Sequence, residues 1–97
     1  MENTGIKPQV IHEICHLAEQ YGIDKVILFG SRARGDYKRV SDIDLAVSGK
    51  DVVRFALDVE EETSTLLKFD VVDLNSAMQQ ELRDSIAAEG RVLYEKI

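Results

Sequence analysis

Asp42 and Asp44 stand one residue apart, and they follow a loop carrying Arg32, Arg34, Lys38 and Arg39 that itself follows Gly30-Ser31. Residues i and i+2 of a strand share a face, so the two carboxylates would lie about 7 Å apart on one side of a sheet. Like charges so placed repel and favour a bridging cation. An all-oxygen pair suits Mg²⁺, which is held by one or two carboxylates together with substrate phosphates. Glycine at the end of a strand lets backbone N–H groups approach a phosphate, and the serine hydroxyl adds a donor. Arginine grips phosphate oxygens bidentately. Singly, these features describe a turn, a solvated loop and a surface acid pair. In the order strand, turn, basic loop, strand, they describe a site for a polyphosphate and its metal ions.

A two-metal site needs a third carboxylate from a neighbouring strand, about 4.8 Å away. The segment "KFDVVDL" offers Asp70 and Asp73. Strand alternation lets only one of them face the metals: Asp70 shares a face with Val72 and Leu74, Asp73 with Phe69 and Val71. Alternation alone does not choose between them.

A second motif competes. "HEICH", His12 to His16, fits the H-E-x-x-H pattern of zinc peptidases. With Ile14 at the centre of the apolar helix face, however, the two histidines fall roughly 160° away on either side. They are expected on solvent, away from any cleft, in a segment close to a frayed N-terminus. The chain has only these two histidines, so no third one can complete the site. The zinc reading is set aside.

The elements that must position the acids follow from periodicity. Val10, Ile11, Ile14, Leu17, Ala18 and Tyr21 recur at helical spacing, with Pro8 suited to the first turn and Gly22 to the position after the last. "DKVILFG" reads as a buried strand, the basic loop as a connection with one helical turn, and "SDIDLAVSG" as a strand with a carboxylate-bearing face. Asp51 can cap a helix whose stripe is Val52, Val53, Ala56, Leu57 and Glu60. "KFDVVDL" is a valine-rich strand, a helix is expected from Ser76 with Met78, Leu82, Ile86 and Ala87 inward, and "RVLYEKI" is a short last strand. The order α-β-β-α-β-α-(β) predicts an α+β fold, a small mixed β-sheet flanked by helices.

The bulk composition narrows the partners. Residues 1–97 make one domain with a single core, and 44% apolar with 31% charged residues is ordinary for a globular chain. A net charge of −6, from 18 acidic and 12 basic residues, argues against a general nucleic-acid binder. A nucleotide can still bind where positive charge is local, as it is between Gly30 and Asp42. One cysteine, the lack of a signal-peptide core and the lack of a long apolar run point to a reducing, cytoplasmic setting with no membrane span.

"GSRARGDYKRVSDID", with Gly30-Ser31, ten residues, then Asp42-Ile43-Asp44, resembles the signature of the nucleotidyltransferase superfamily with the DNA polymerase β-like palm. The similarity is greatest to its short bacterial and archaeal branch, the minimal nucleotidyltransferases (MNT). It extends through "VILFGSRARGD", "FDVVDL" and "IAAEGRVLYE". The resemblance implies that Gly30 and Ser31, with Arg34 and Arg32, hold the nucleoside triphosphate, and that Asp42, Asp44 and Asp70 are the catalytic carboxylates and ligate two Mg²⁺ ions. The family's apolar-Asp-apolar-apolar strand matches Phe69 to Val72, which favours Asp70 over Asp73. It also implies ATP or another NTP as donor and a HEPN-domain protein as partner. The chain would then act as an antitoxin that transfers AMP to a tyrosine of that partner. The alternative is an interaction module that neutralises its partner by binding alone. A cleft lacking a second wall is expected to be completed by a homo- or hetero-oligomeric partner.

Overall fold

The computed structural model describes residues 3–97; Met1 and Glu2 lie outside them. Helix α1, Pro8–Gln20, starts with proline at its first turn, where the missing N–H has no intrahelical partner to lose. It buries Val10, Ile14, Leu17 and Ala18. Its far end turns through Gly22 at φ +66° into β1, Ile23–Phe29. A single helical turn follows as α2, Ser31–Arg34, then β2, Ile43–Gly49. The chain continues through α3, Val52–Glu62, β3, Phe69–Asp73, α4, Gln80–Glu89, and β4, Arg91–Glu95.

The four strands form one mixed sheet in the order β3-β2-β1-β4. β1 runs antiparallel to both β2 and β4, while β2 and β3 are parallel. The parallel pair needs a crossover, which α3 supplies. On one face α1 and α3 cover Val26, Leu28, Ile43, Leu45 and Val47, all fully buried. The other face is covered only in part. There Ile86 of α4 packs with Phe29 and Ala46, and Ile27, Val72 and Leu74 stay half-buried. Ala46 shares its face with Asp44 by strand alternation, so the carboxylates stand on the thinly covered side. Among the described residues no helix is long and apolar enough to cross a membrane.

The structure departs from the expected elements in three places. In α3 the buried residues are Phe55 and Val59, with Val52 packed beside them. Val53 and Leu57 face outward, 74% and 56% exposed. The spacing 52, 55, 59 is equally helical, and the large ring of Phe55 takes the core position. Asp51 caps the helix as expected, accepting from the Arg54 N–H at 3.3 Å. α4 starts four residues after Ser76, because the Ser76 N–H and hydroxyl both donate to the Asp73 carbonyl and close a turn instead. Finally, the segment before α1 is anchored: Thr4 is fully buried and Ile6 nearly so.

Candidate active site

The register of the sheet decides which acids meet. Phe29 lies opposite Asp44, and Asp44 lies opposite Asp70. Opposed residues of adjacent strands project to the same side, so the end of β1, the second aspartate of β2 and the first aspartate of β3 share one surface. Asp42, just before β2, is on that face by alternation and is exposed, as is Asp70. Asp73 lies opposite Val47, whose side chain belongs to the buried core. Its carboxylate accepts from the Asn75 N–H at 2.8 Å and its carbonyl holds Ser76, so it closes the turn after β3.

Asp44 is the acid most affected by its surroundings. Burial, then the neighbouring Asp70 and Asp42 carboxylates, push its pKa up to about 6, while Arg34 and Arg32 oppose the shift. A carboxylate raised mainly by burial and by two like charges is one that a cation would relieve. The donor set is all oxygen, which fits Mg²⁺. Among the described residues no three acidic, histidine or cysteine side chains are gathered tightly enough to hold an ion as they stand.

Gly30 lies directly under this carboxylate. Its backbone adopts φ +75°, ψ −157°, a region open essentially to glycine alone. A Cβ there would sit 2.2 Å from Asp44 Oδ2. The glycine is therefore required twice, by the turn from β1 into α2 and by the acid packed against it. Ser31 follows as the first residue of α2, half-buried, with the Gly30 carbonyl accepting from Ala33 and Arg34.

The basic residues of the loop divide into two kinds. Arg34 reaches across to α4, with Nη1 3.0 Å from Glu89 and Nε 3.2 Å from Asp36, and its side chain is 43% exposed. Those two hydrogen bonds, Glu89 first, raise its pKa further. Arg32, expected beside Arg34 at the nucleotide, is placed quite differently from it. It is only 1% exposed. Its Nε donates to the Ser41 carbonyl at 2.9 Å, Nη1 to Thr4 at 2.8 Å and Nη2 to Arg39 at 3.3 Å. The guanidinium lies 4.8 Å from the centre of the Tyr37 ring. A phosphate could reach it only by breaking these bonds, so Arg32 fastens the loop and the N-terminal segment to the chain entering β2. Arginine is needed because only its planar fork serves three carbonyls at once. Nothing in a one-dimensional reading of "GSRARG" separates this arginine from Arg34.

Arg32→Ala leaves those carbonyls without their donor, at an expected cost of about 2–4 kcal/mol. Thermal unfolding should show the loss, and amide hydrogen exchange should rise across residues 36–41. Unchanged exchange there would exclude the fastening role.

His12 and His16 are exposed, as expected. They line an 810 Å³ groove between α1 and α3 together with Arg54, Asp58 and Glu61. Helical periodicity placed no cleft on this side of α1; α3 lying alongside it makes one. Tyr21 lines it as well, its hydroxyl donating to Asp58.

A partly open sheet face with a carboxylate pair on one strand, a third acid opposite on the next and a glycine turn beneath defines a phosphoryl-transfer site of the nucleotidyltransferase type. The chain belongs to the polymerase β nucleotidyltransferase family, whose profile matches residues 12–97. It is 40% identical over 82 residues to a protein of Methanocaldococcus jannaschii assigned as a protein adenylyltransferase, covering 74% of this chain and 79% of that one. A chain from the crystal structure of a toxin–antitoxin with AMP-PNP superposes with a TM-score of 0.72 at 26% identity, over 89% of this chain and 73% of that one. A solved structure assigned as a minimal nucleotidyltransferase gives 0.66 at 26% identity, over 84% and 86%.

Proposed function

We propose that this chain transfers AMP from ATP to a hydroxyl of a partner protein, a tyrosine of a HEPN-domain toxin, and so acts as an antitoxin. The observation that carries the reading is the register that sets Asp70 opposite Asp44 with Gly30 packed against the same carboxylate. The protein acceptor is supported by the relative assigned as a protein adenylyltransferase, and the antitoxin role by the toxin–antitoxin structure.

Asp42, Asp44 and Asp70 would hold two Mg²⁺ ions, which supply charge neutralisation for the triphosphate and a lowered pKa for the attacking hydroxyl. Gly30 lets the triphosphate approach the backbone of the turn, and the Ser31 hydroxyl donates to it. Arg34 is the mobile cation. Its pairs with Glu89 and Asp36 are exposed and individually weak, so exchanging them for a phosphate costs little. The acceptor oxygen attacks the α-phosphorus in line and forms the new P–O bond. The bond from that phosphorus to the bridging oxygen breaks, and its electron pair leaves with pyrophosphate. Asp70, exposed on the edge strand, takes the hydroxyl proton.

Incubation of the protein with Mg²⁺ and the product of its neighbouring gene, using α- and γ-labelled ATP in parallel, tests this. Only the α label should reach the partner. Asp70→Asn should reduce transfer by about 10³-fold, whereas Asp73→Asn should change mainly stability. Loss of transfer in Asp73→Asn alone would reverse the assignment. Neutralisation of the partner that persists in Asp42→Ala and Asp44→Ala without labelling would establish a binding-only module.

A further inference from the structure

A second groove, of 690 Å³, opens beside the acids. It is lined by Lys7 at the start of α1, Arg39 and Val40 of the loop, Asp42, and Leu66 and Lys68 ahead of β3. Asp42 belongs to both this groove and the carboxylate face, while Gly30, Ser31, Asp44 and Asp70 do not line it. The acids therefore have two different neighbours, the glycine turn against Asp44 and the groove against Asp42. In-line displacement requires the leaving pyrophosphate and the attacking hydroxyl on opposite sides of the phosphorus. With the turn assigned to the triphosphate, the groove is left for the nucleophile.

Its chemistry is specific. In a chain of net charge −6, Lys7, Arg39 and Lys68 are all exposed, and the ion pairs found among the described residues involve none of them. Leu66 and Val40 project beside these cations, 104% and 79% exposed. Exposed apolar side chains beside cations that join no ion pair offer a partner both contact area and charge complementarity. We infer that this groove seats the acceptor, and that the acceptor is a polypeptide segment bearing carboxylates and a large apolar side chain close to the hydroxyl to be modified. The inference rests on the proposed transfer reaction and names its second substrate by charge and shape. Lys7 and Lys68 would pair with the segment's carboxylates, and Leu66 and Val40 would cover its apolar side chain.

Two fluorescein-labelled synthetic peptides test it, each with one tyrosine and one leucine, flanked in one by glutamates and in the other by lysines. Fluorescence anisotropy on the full chain should show the acidic peptide binding at least about tenfold more tightly, with a preference that falls as salt rises. Lys7→Glu with Lys68→Glu should abolish or invert the preference, and Leu66→Ser should weaken both peptides. Affinity for a fluorescent ATP analogue with Mg²⁺ should be unchanged in all of these variants. Equal binding of the two peptides overturns the inference. So does a charge-reversed variant that loses the ATP analogue rather than the peptide, which would give the groove to the nucleotide. Tighter binding of a single-stranded RNA of similar length than of the acidic peptide overturns it too. Binding as expected, with no transfer of α label to this or any other hydroxyl, would leave the groove standing and remove the proposed reaction. Transfer without charge preference would do the reverse.

Discussion

Asp44→Asn should make the protein more stable at neutral pH while abolishing nucleotidyl transfer. The Asp44 pKa is raised to about 6 by burial and by the Asp70 and Asp42 carboxylates, against about 3.9 in an unfolded chain. The unfolded state therefore loses its proton first as pH rises, and the folded state holds an acid it would prefer neutral. Stability falls as pH climbs through the interval from about 4 to 6, and the penalty is complete above it. The shift alone corresponds to about 3 kcal/mol; solvent screening of a partly exposed carboxyl reduces this to about 1–2 kcal/mol. Asparagine keeps the shape above Gly30 and removes the charge. Its melting temperature should exceed that of the wild type by roughly 4–10 °C at pH 7.5 and match it near pH 4. Transfer of α label should fall by about 10³-fold or more, because a charged ligand and its neighbour's partner are lost together. Mg²⁺ with ATP should raise the wild-type melting temperature by mass action and leave the variant unmoved. A melting temperature lowered at pH 7.5 would contradict the electrostatic account. For the wild type, activity should decline below about pH 6 as protons compete for the same carboxylate.

Gly30→Ala should damage both the fold and the reaction, because this glycine lies against the Asp44 carboxylate. The residue adopts φ +75°, ψ −157°, which costs an alanine about 1–3 kcal/mol before any contact is counted. Its Cβ would also lie 2.2 Å from Asp44 Oδ2 and 3.1 Å from that side chain's Cγ. Either the turn or the carboxylate must move, and a displacement of about 1 Å at a reacting centre is worth about 10²-fold in rate. The expected result is a loss of about 2–4 kcal/mol in denaturant unfolding, with transfer reduced at least 10²-fold. The two causes separate in a double-mutant cycle. With Asp44→Ala already present the collision disappears and the backbone strain remains, so Gly30→Ala should cost measurably less there. Additive losses would show that the carboxylate does not rest on the glycine.

Much of this was legible in one dimension. Apolar spacing marks α1, β1 and β2, because helix and strand periods are local properties of the chain. Asp42 and Asp44 share a face for the same reason, and Asp51 caps α3 through a bond spanning three residues. The order of elements was legible in the same way, as was the Gly-Ser step that ends β1 before the acidic strand. The stripe expected through Val53 and Leu57 was the wrong one, because the spacing of Val52, Phe55 and Val59 is helical too. Packing decided, by giving the core to the larger ring.

Everything that depends on register or on distant partners belonged to the tertiary structure. Alternation left Asp70 and Asp73 equivalent; the parallel pairing of β2 with β3 put Asp70 opposite Asp44 and left Asp73 to close a turn. Arg32 and Arg34 stand two positions apart in one basic loop. Only the folded chain brings Thr4 back over the first and Glu89 over to the second, burying one guanidinium and leaving the other half-exposed at the acids. Spacing along a chain settles which side chains share a face, whereas which faces meet is settled by strand register and by what the core excludes.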